Sequence, residues 1–188
     1  LTGQVPPEID TRLDHRGVEQ RRPKVQAVLK NRAEVQRAFR EKCLELQMQE
    51  INPPSLVEAA TEGGTDVFEV KYFEKKAFLA QSPQLYKQLA VLGGMDRVFM
   101  TAPIWRAEKH NTTTHLNEVT QMDVELGFAD DNDALEALEQ VTLHVLASVK
   151  ENCGESLALL KQEIVLPKKI ARHSYSELVE LLNKNAGS

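Results

Sequence analysis

The connections in this chain are short, and that limits its folds more than any single motif does. Strand-like runs at 97–100, 104–106 and 119–128 are separated by no more than a polar stretch at 108–117. Parallel neighbours need a crossover of a dozen or more residues, usually a helix, whereas a turn suffices for antiparallel ones. The order is a long helix, strands, a short helix, strands and further helices. It points to an α+β domain, an antiparallel sheet flanked by helices, over a doubly wound parallel sheet.

The local signals fill in this frame. Residues 1–22 read as an extended linker, because Pro6-Pro7 blocks a helix and the charges from Asp10 to Arg22 have no helical apolar face behind them. Pro23 suits the first position of a helix, and Val25, Val28, Leu29, Ala33, Phe39, Cys43 and Leu46 recur near helical spacing as far as Gln49. A short strand through Glu50-Ile51 is closed by Pro53-Pro54. Residues 55–64 read as loop, 66–70 as a half-buried strand and 77–80 as its partner. Ser82 would cap a helix over 83–92 with Pro83 at its first position, and Gly93-Gly94 would end it. Asp133 would cap the next helix. Ser174 with Glu177 fits a capping box before the last one.

Composition sets the class. At 188 residues the chain can enclose one core. With 41% hydrophobic and 27% charged residues it matches an ordinary soluble domain. The net charge of −5 does not advertise a nucleic-acid binder, although a local basic surface can coexist with it. Cys43 and Cys153 lie far apart and form no CxxC pair, which argues against a disulfide framework or a cysteine zinc site. No apolar run approaches the roughly 20 residues of a membrane helix and no signal peptide is visible, so the expected location is the cytosol, with no membrane partner.

Three clusters could carry chemistry. Glu62-Gly63-Gly64 lets backbone approach a ligand beside a carboxylate that could hold an ammonium group, or is simply a turn. Gln84 and Lys87 share a helix face and suit a small carboxylate, or form a solvated surface. Arg106 leaves a strand, which gives a phosphate contact a rigid base. Lys109 and His115 follow on a loop that could fold over a nucleotide. Asp123 and Glu125 face the same side of a strand. The alternatives for this third cluster are a solvated hairpin, or zinc through His110 and His115, for which no third and fourth ligands are suitably spaced. No GxxxxGK[ST], GxGxxG or GxSxG is present.

Together these segments resemble class II aspartyl-tRNA synthetases of the archaeal and eukaryotic branch. "DTRLDHR…RRP" is similar to the run-in to the family's catalytic domain. The helix from Pro23 and the strand ending at Pro53 resemble motif 1. "TEGGTDVFEVKYFEKKAFLAQSPQLYKQ" resembles the aspartate-recognition stretch, and "APIWRAEKHNTTTHLNE" followed by "MDVELGF" resembles motif 2. The resemblance implies that residues 1–22 lead in from an anticodon-binding domain and that 23–188 form the first part of a class II catalytic domain, with motifs 1 and 2 only. It implies an aspartate–tRNA ligase using ATP and Mg2+, homodimeric through motif 1. The tRNA would be that for aspartate, or those for aspartate and asparagine both.

Carried over onto matching positions, the resemblance implies aspartate-binding roles for Glu62, Gln84, Lys87 and Asp123, with Lys87 on the side-chain carboxylate. It puts Arg106 on the α-phosphate of ATP as the catalytic residue, Glu108 by the adenine, and His115 with Leu116 towards the terminal phosphates. Two positions depart from the family pattern. Thr114 replaces an arginine common before the motif 2 histidine, and Val119 stands where many relatives have phenylalanine. The family's motif 3, its acidic metal ligands and a second aspartate-binding arginine have no match after Asp133. No metal site is therefore expected in this chain, which by itself should be inactive. Two other readings stand beside the ligase. One is an aspartate-activating paralogue that does not use tRNA, such as an asparagine-synthetase-like enzyme. The other is a non-catalytic dimerisation module.

Overall fold

The computed structural model describes residues 8–59, 67–109 and 115–186. Its spine is helix α3 (Pro23–Glu45), preceded by two short helices, α1 (Ile9–Asp14) and α2 (Arg16–Glu19). These two helices correct the extended reading of the first 22 residues over 9–19. The charges there find partners instead of solvent: Glu19 is buried, with Arg12 at 2.6 Å and Arg22 at 3.3 Å. Both guanidiniums hold the Glu19 carboxyl below its usual range. Helix α3 starts at Pro23, as the sequence indicates, and ends four residues before Gln49.

Two three-stranded sheets follow. In the first, β1 (Gln49–Glu50), β5 (Arg97–Trp105) and β6 (Glu118–Leu126) lie in the order β1-β5-β6. β5 and β6 form a nine-residue antiparallel hairpin, and the interruption expected between 100 and 104 does not occur, since Pro103 is accommodated within the strand. β1 runs parallel to β5, so this sheet is mixed. The long excursion between Glu50 and Arg97 supplies the crossover that a parallel pair requires. That excursion holds the second, antiparallel sheet, with β2 (Leu56–Val57), β4 (Lys75–Leu79) and β3 (Glu69–Tyr72) in the order β2-β4-β3. β2 falls inside the stretch read as loop.

Helix α4 (Gln84–Leu92) then crosses back. Its cap position is Pro83, and the Ser82 hydroxyl accepts the Gln84 N–H at 3.2 Å from one residue further out. Gly94 turns the chain at φ +99°, where a side chain is disfavoured. Helix α5 (Asp131–Asn152) is capped by Asp130, with Asp133 completing a reciprocal box from the third helical position, so the expected cap lies three residues late. Helix α6 (Gly154–Leu160) has no clear sequence signal. Helix α7 (Tyr175–Ala186) begins in the predicted box: Ser174 N–H donates to Glu177 Oε2 at 2.7 Å and Glu177 N–H to Ser174 Oγ at 3.3 Å.

The core lies between the first sheet and the helices. Phe39 and Cys43 of α3, Met48 and Phe99 of β5 are buried together, backed by Val124, Leu126, Ala137, Val141 and Val145. The rings of Phe39 and Phe99 meet edge to face, 5.9 Å apart, a favoured aromatic geometry. Burial pushes the Cys43 thiol up to about 12, so it packs as an apolar group.

Beside this core a polar clasp ties α3 to α5. Glu34 accepts from Arg37 (2.7 Å), Ser148 (2.6 Å) and Asn152 (2.8 Å), and those bonds lower its carboxyl from 4.5 to about 2. A carboxyl whose folded value lies below its unfolded one stabilises the fold fully above the unfolded value, and that contribution fades as pH falls towards the folded value. Urea midpoints of the wild-type chain should therefore decline between about pH 5 and pH 2 more steeply than those of Glu34→Gln. Parallel pH profiles would show that the clasp carries no such linkage.

Candidate active site

The two faces of the β5–β6 hairpin have different tasks. Paired residues share a face, and the side alternates along each strand. Phe99, opposite Val124, points into the core. The pairs Val98–Glu125, Met100–Asp123, Ala102–Gln121 and Ile104–Val119 lie on the other face. Helix α4 packs along these strands, and its Gln84 and Lys87 meet the polar residues there.

Lys87 is 1% exposed. Its ammonium lies 2.7 Å from Asp123 Oδ2, 3.1 Å from Glu125 Oε2 and 3.4 Å from the Val124 carbonyl. The solvated-surface reading of this lysine is thus overturned. A buried ammonium survives only when paired and hydrogen-bonded, and here two carboxylates supply both. The same Glu125 oxygen accepts the Gln84 side-chain amide at 2.9 Å. Asp123 is held by its neighbours: Gln121 Nε2 donates to Oδ2 at 3.2 Å and the Val124 N–H to Oδ1 at 2.9 Å. The predicted residues Gln84, Lys87 and Asp123 therefore form one cluster. Glu125 and Gln121 complete it. Their signal was in the sequence, as Gln121, Asp123 and Glu125 continue a single period-two row.

Arg106 extends the alternation one residue beyond β5, and by that register falls on the site face. Its N–H donates to the Asn117 carbonyl at 2.9 Å, and the Asn117 amide returns bonds to the carbonyls of Arg106 (2.9 Å) and Glu108 (3.0 Å). Asn117 thereby closes the root of the connection that carries Glu108 on one side and His115 with Leu116 on the other. Arg106 and Glu108 are half-buried, while His115 and Leu116 are exposed. Glu62 and His110 lie outside the described residues. Among the described residues no group of three or more His, Cys, Asp or Glu is placed to hold a metal ion, and no helix is long and apolar enough to cross a membrane.

One closeness of packing sets the position of α4. A Cβ on Gly127 would stand 2.6 Å from Val91 Cγ1 and 3.2 Å from the Asp96 carbonyl, so the end of β6 seats directly against the helix that carries Lys87.

Lys87→Met removes the ammonium and leaves Asp123 and Glu125 facing each other. It should cost on the order of 3 kcal/mol of stability, read as a lower urea midpoint. A variant as stable as the parent at neutral pH would mean that the cluster has no structural weight.

Comparison with known proteins gives the family of the chain. A family model described as tRNA synthetases class II (D, K and N) matches residues 8–186. The chain is 48% identical over 181 residues to an aspartate–tRNA(Asp/Asn) ligase of Methanocaldococcus jannaschii, covering 96% of this chain and 41% of that protein. It is 45% identical over 184 residues to an aspartate–tRNA(Asp) ligase of Pyrococcus furiosus, covering 97% and 42%. Among solved structures, asparaginyl-tRNA synthetase from Pyrococcus horikoshii complexed with asparaginyl-adenylate superposes with a TM-score of 0.87 at 30% identity, over 95% of this chain and 42% of that one. The chain thus spans about two fifths of the length of these relatives. On the family match and the fold, the chain belongs to the class II tRNA synthetases of the D, K and N group.

Proposed function

We propose that the protein containing this chain is an aspartate–tRNA ligase, and that residues 23–188 form the part of its catalytic domain that faces the amino acid and ATP. The reading rests above all on the buried Lys87 ammonium, held among Gln84, Asp123 and Glu125. A fixed positive charge on rigid elements suits a side-chain carboxylate better than a side-chain amide, and the acidic groups beside it suit the α-ammonium. Lys87 would pair with the aspartate side chain, and Gln84 and Asp123 would orient the rest, with Glu62 nearby. The names of the relatives support aspartate as the amino acid, and they divide between tRNA(Asp) and tRNA(Asp/Asn) as the acceptor.

The chemistry then follows from charge. The α-carboxylate of aspartate attacks the α-phosphorus of ATP. The bond to pyrophosphate breaks, and aspartyl-adenylate forms. Negative charge grows on the α-phosphate oxygens during this step. Arg106, set at the end of β5 with its backbone tied to Asn117, would stabilise that charge with little reorganisation. Glu108 would contact the adenine, and His115 with Leu116 would flank the terminal phosphates. Magnesium would enter on the phosphates and offset their charge. A hydroxyl of the tRNA's terminal ribose then attacks the activated carbonyl, and AMP leaves.

The full-length protein should catalyse aspartate-dependent ATP–pyrophosphate exchange. Lys87→Ala and Arg106→Ala should each lower it about a hundredfold or more, the former by raising KM for aspartate and the latter mainly through kcat. A folded full-length protein that gives no exchange with any amino acid would sink the reading. A homodimer through α3 belongs to the same proposal. Light scattering should give twice the monomer mass, and a strict monomer would count against it.

A further inference from the structure

One member of the polar row has no part in the proposed chemistry. Gln121 lies on the site face of β6, two residues before Asp123. One end of its amide has a partner, since Nε2 donates to Asp123 Oδ2 at 3.2 Å. The other end has none. Gln121 Oε1 is buried and meets no hydrogen-bond donor among the described residues. A buried acceptor in that state costs free energy, because it has left water without a replacement.

The neighbours on that face do not call for an amide. By register Gln121 is opposite Ala102, and the next pair along is Ile104 with Val119. None of these has a polar side chain, and Ile104 is itself buried. An apolar side chain of similar length would suit the setting better. Turning the amide over gives no relief. It would set the oxygen against Asp123 Oδ2, acceptor to acceptor, and bury the NH2 group instead. The observed orientation sacrifices one end of the amide and holds Asp123 with the other.

The rest of Asp123 shows what that bond does. Its Oδ2 also receives the Lys87 ammonium at 2.7 Å, and its Oδ1 accepts the Val124 N–H at 2.9 Å. Lys87 reaches the carboxylate from α4, and Gln121 reaches the same oxygen from β6. Asp123 is therefore held between the helix and the strand, and its orientation helps to direct the ammonium.

We infer that Gln121 is a positioning residue for the amino acid. It fixes the plane of the Asp123 carboxylate, and through it the direction of the Lys87 ammonium, so that both are set before the ligand arrives. Groups locked in advance by their neighbours lose less on binding. Gln121 acts through Asp123 and not by touching the amino acid, because its other polar end is closed off. The inference rests on the aspartate-binding roles proposed above for Lys87 and Asp123.

The test uses the full-length protein and Gln121→Met, which keeps the length of the side chain and removes both polar ends. In ATP–pyrophosphate exchange, KM for aspartate should rise about tenfold, the worth of one hydrogen bond to a charged group. KM for ATP and kcat should stay within about twofold of the parent. The urea midpoint should be no lower than the parent's, since the unpaired oxygen leaves with the amide. Gln121→Glu sets a second carboxylate against Asp123 Oδ2 and should raise KM for aspartate further. An unchanged KM for aspartate in either variant would overturn the inference. So would a joint rise of both KM values with a lower urea midpoint, the result for a residue that serves the fold alone. A crystal structure of Gln121→Met should show the Asp123 carboxylate turned about χ2, and one that keeps its orientation would also overturn the inference. This last measurement needs no activity. If the parent gives no exchange, the ligase reading falls, and the orientation of Asp123 in the variant decides by itself whether Gln121 positions it.

Discussion

The polar cluster between α4 and β6 is arranged around one buried ammonium. Lys87 is buried, and its ammonium is met there by Asp123, Glu125 and the Val124 carbonyl. Those partners can meet it because β6 is regular there, and β6 is regular because it pairs with β5 along nine residues. The strand pair in turn is held by the apolar side chains on its opposite face. Charge burial, strand register and core packing therefore form a chain of dependence, in which the loss of any link exposes the next. A lysine in this setting is also fixed in direction, which a solvated lysine is not.

The hairpin separates two kinds of environment with a layer one strand thick. On one side Phe99 and Val124 join Phe39 and Cys43 in an apolar cluster. On the other, a row of amide and carboxylate groups faces α4. Alternation alone achieves this, since each successive residue turns to the opposite side. The polar row is mounted on the nine-residue strand pair, and Glu108 and His115 lie where the strands end. Precise recognition of an amino acid and looser enclosure of a nucleotide would each gain from that division.

Much of this was legible in the residues. Pro23 marked the spine helix, Ser174 with Glu177 the last one, and the spacing of Gln84 and Lys87 their common face. Asp123 and Glu125 were visible as neighbours on one side of a strand. The burial of Lys87 was not legible, because a lysine on a nine-residue helix looks solvated until its partners, 36 and 38 positions away, are brought to it. The parallel pairing of β1 with β5 was hidden for a similar reason: the crossover between them is itself a small sheet and a helix. Helices α1 and α2 escaped notice because their stabilising contact is a buried carboxylate between two arginines, which leaves no apolar period to read.

Gly127 carries a consequence for how such a site can change. It lies outside the polar cluster and bears no functional group, yet it leaves just enough room for Val91 to rest against the end of β6. Val91 is four residues along α4 from Lys87, one helical turn, so the tilt of α4 is recorded in a contact between a bare backbone and a methyl group. A new side chain there would move the helix before it altered any chemistry. The placement of Gln84 and Lys87 is thereby bound to the seating of a helix, and a change at this apolar corner would shift both without touching a charged residue.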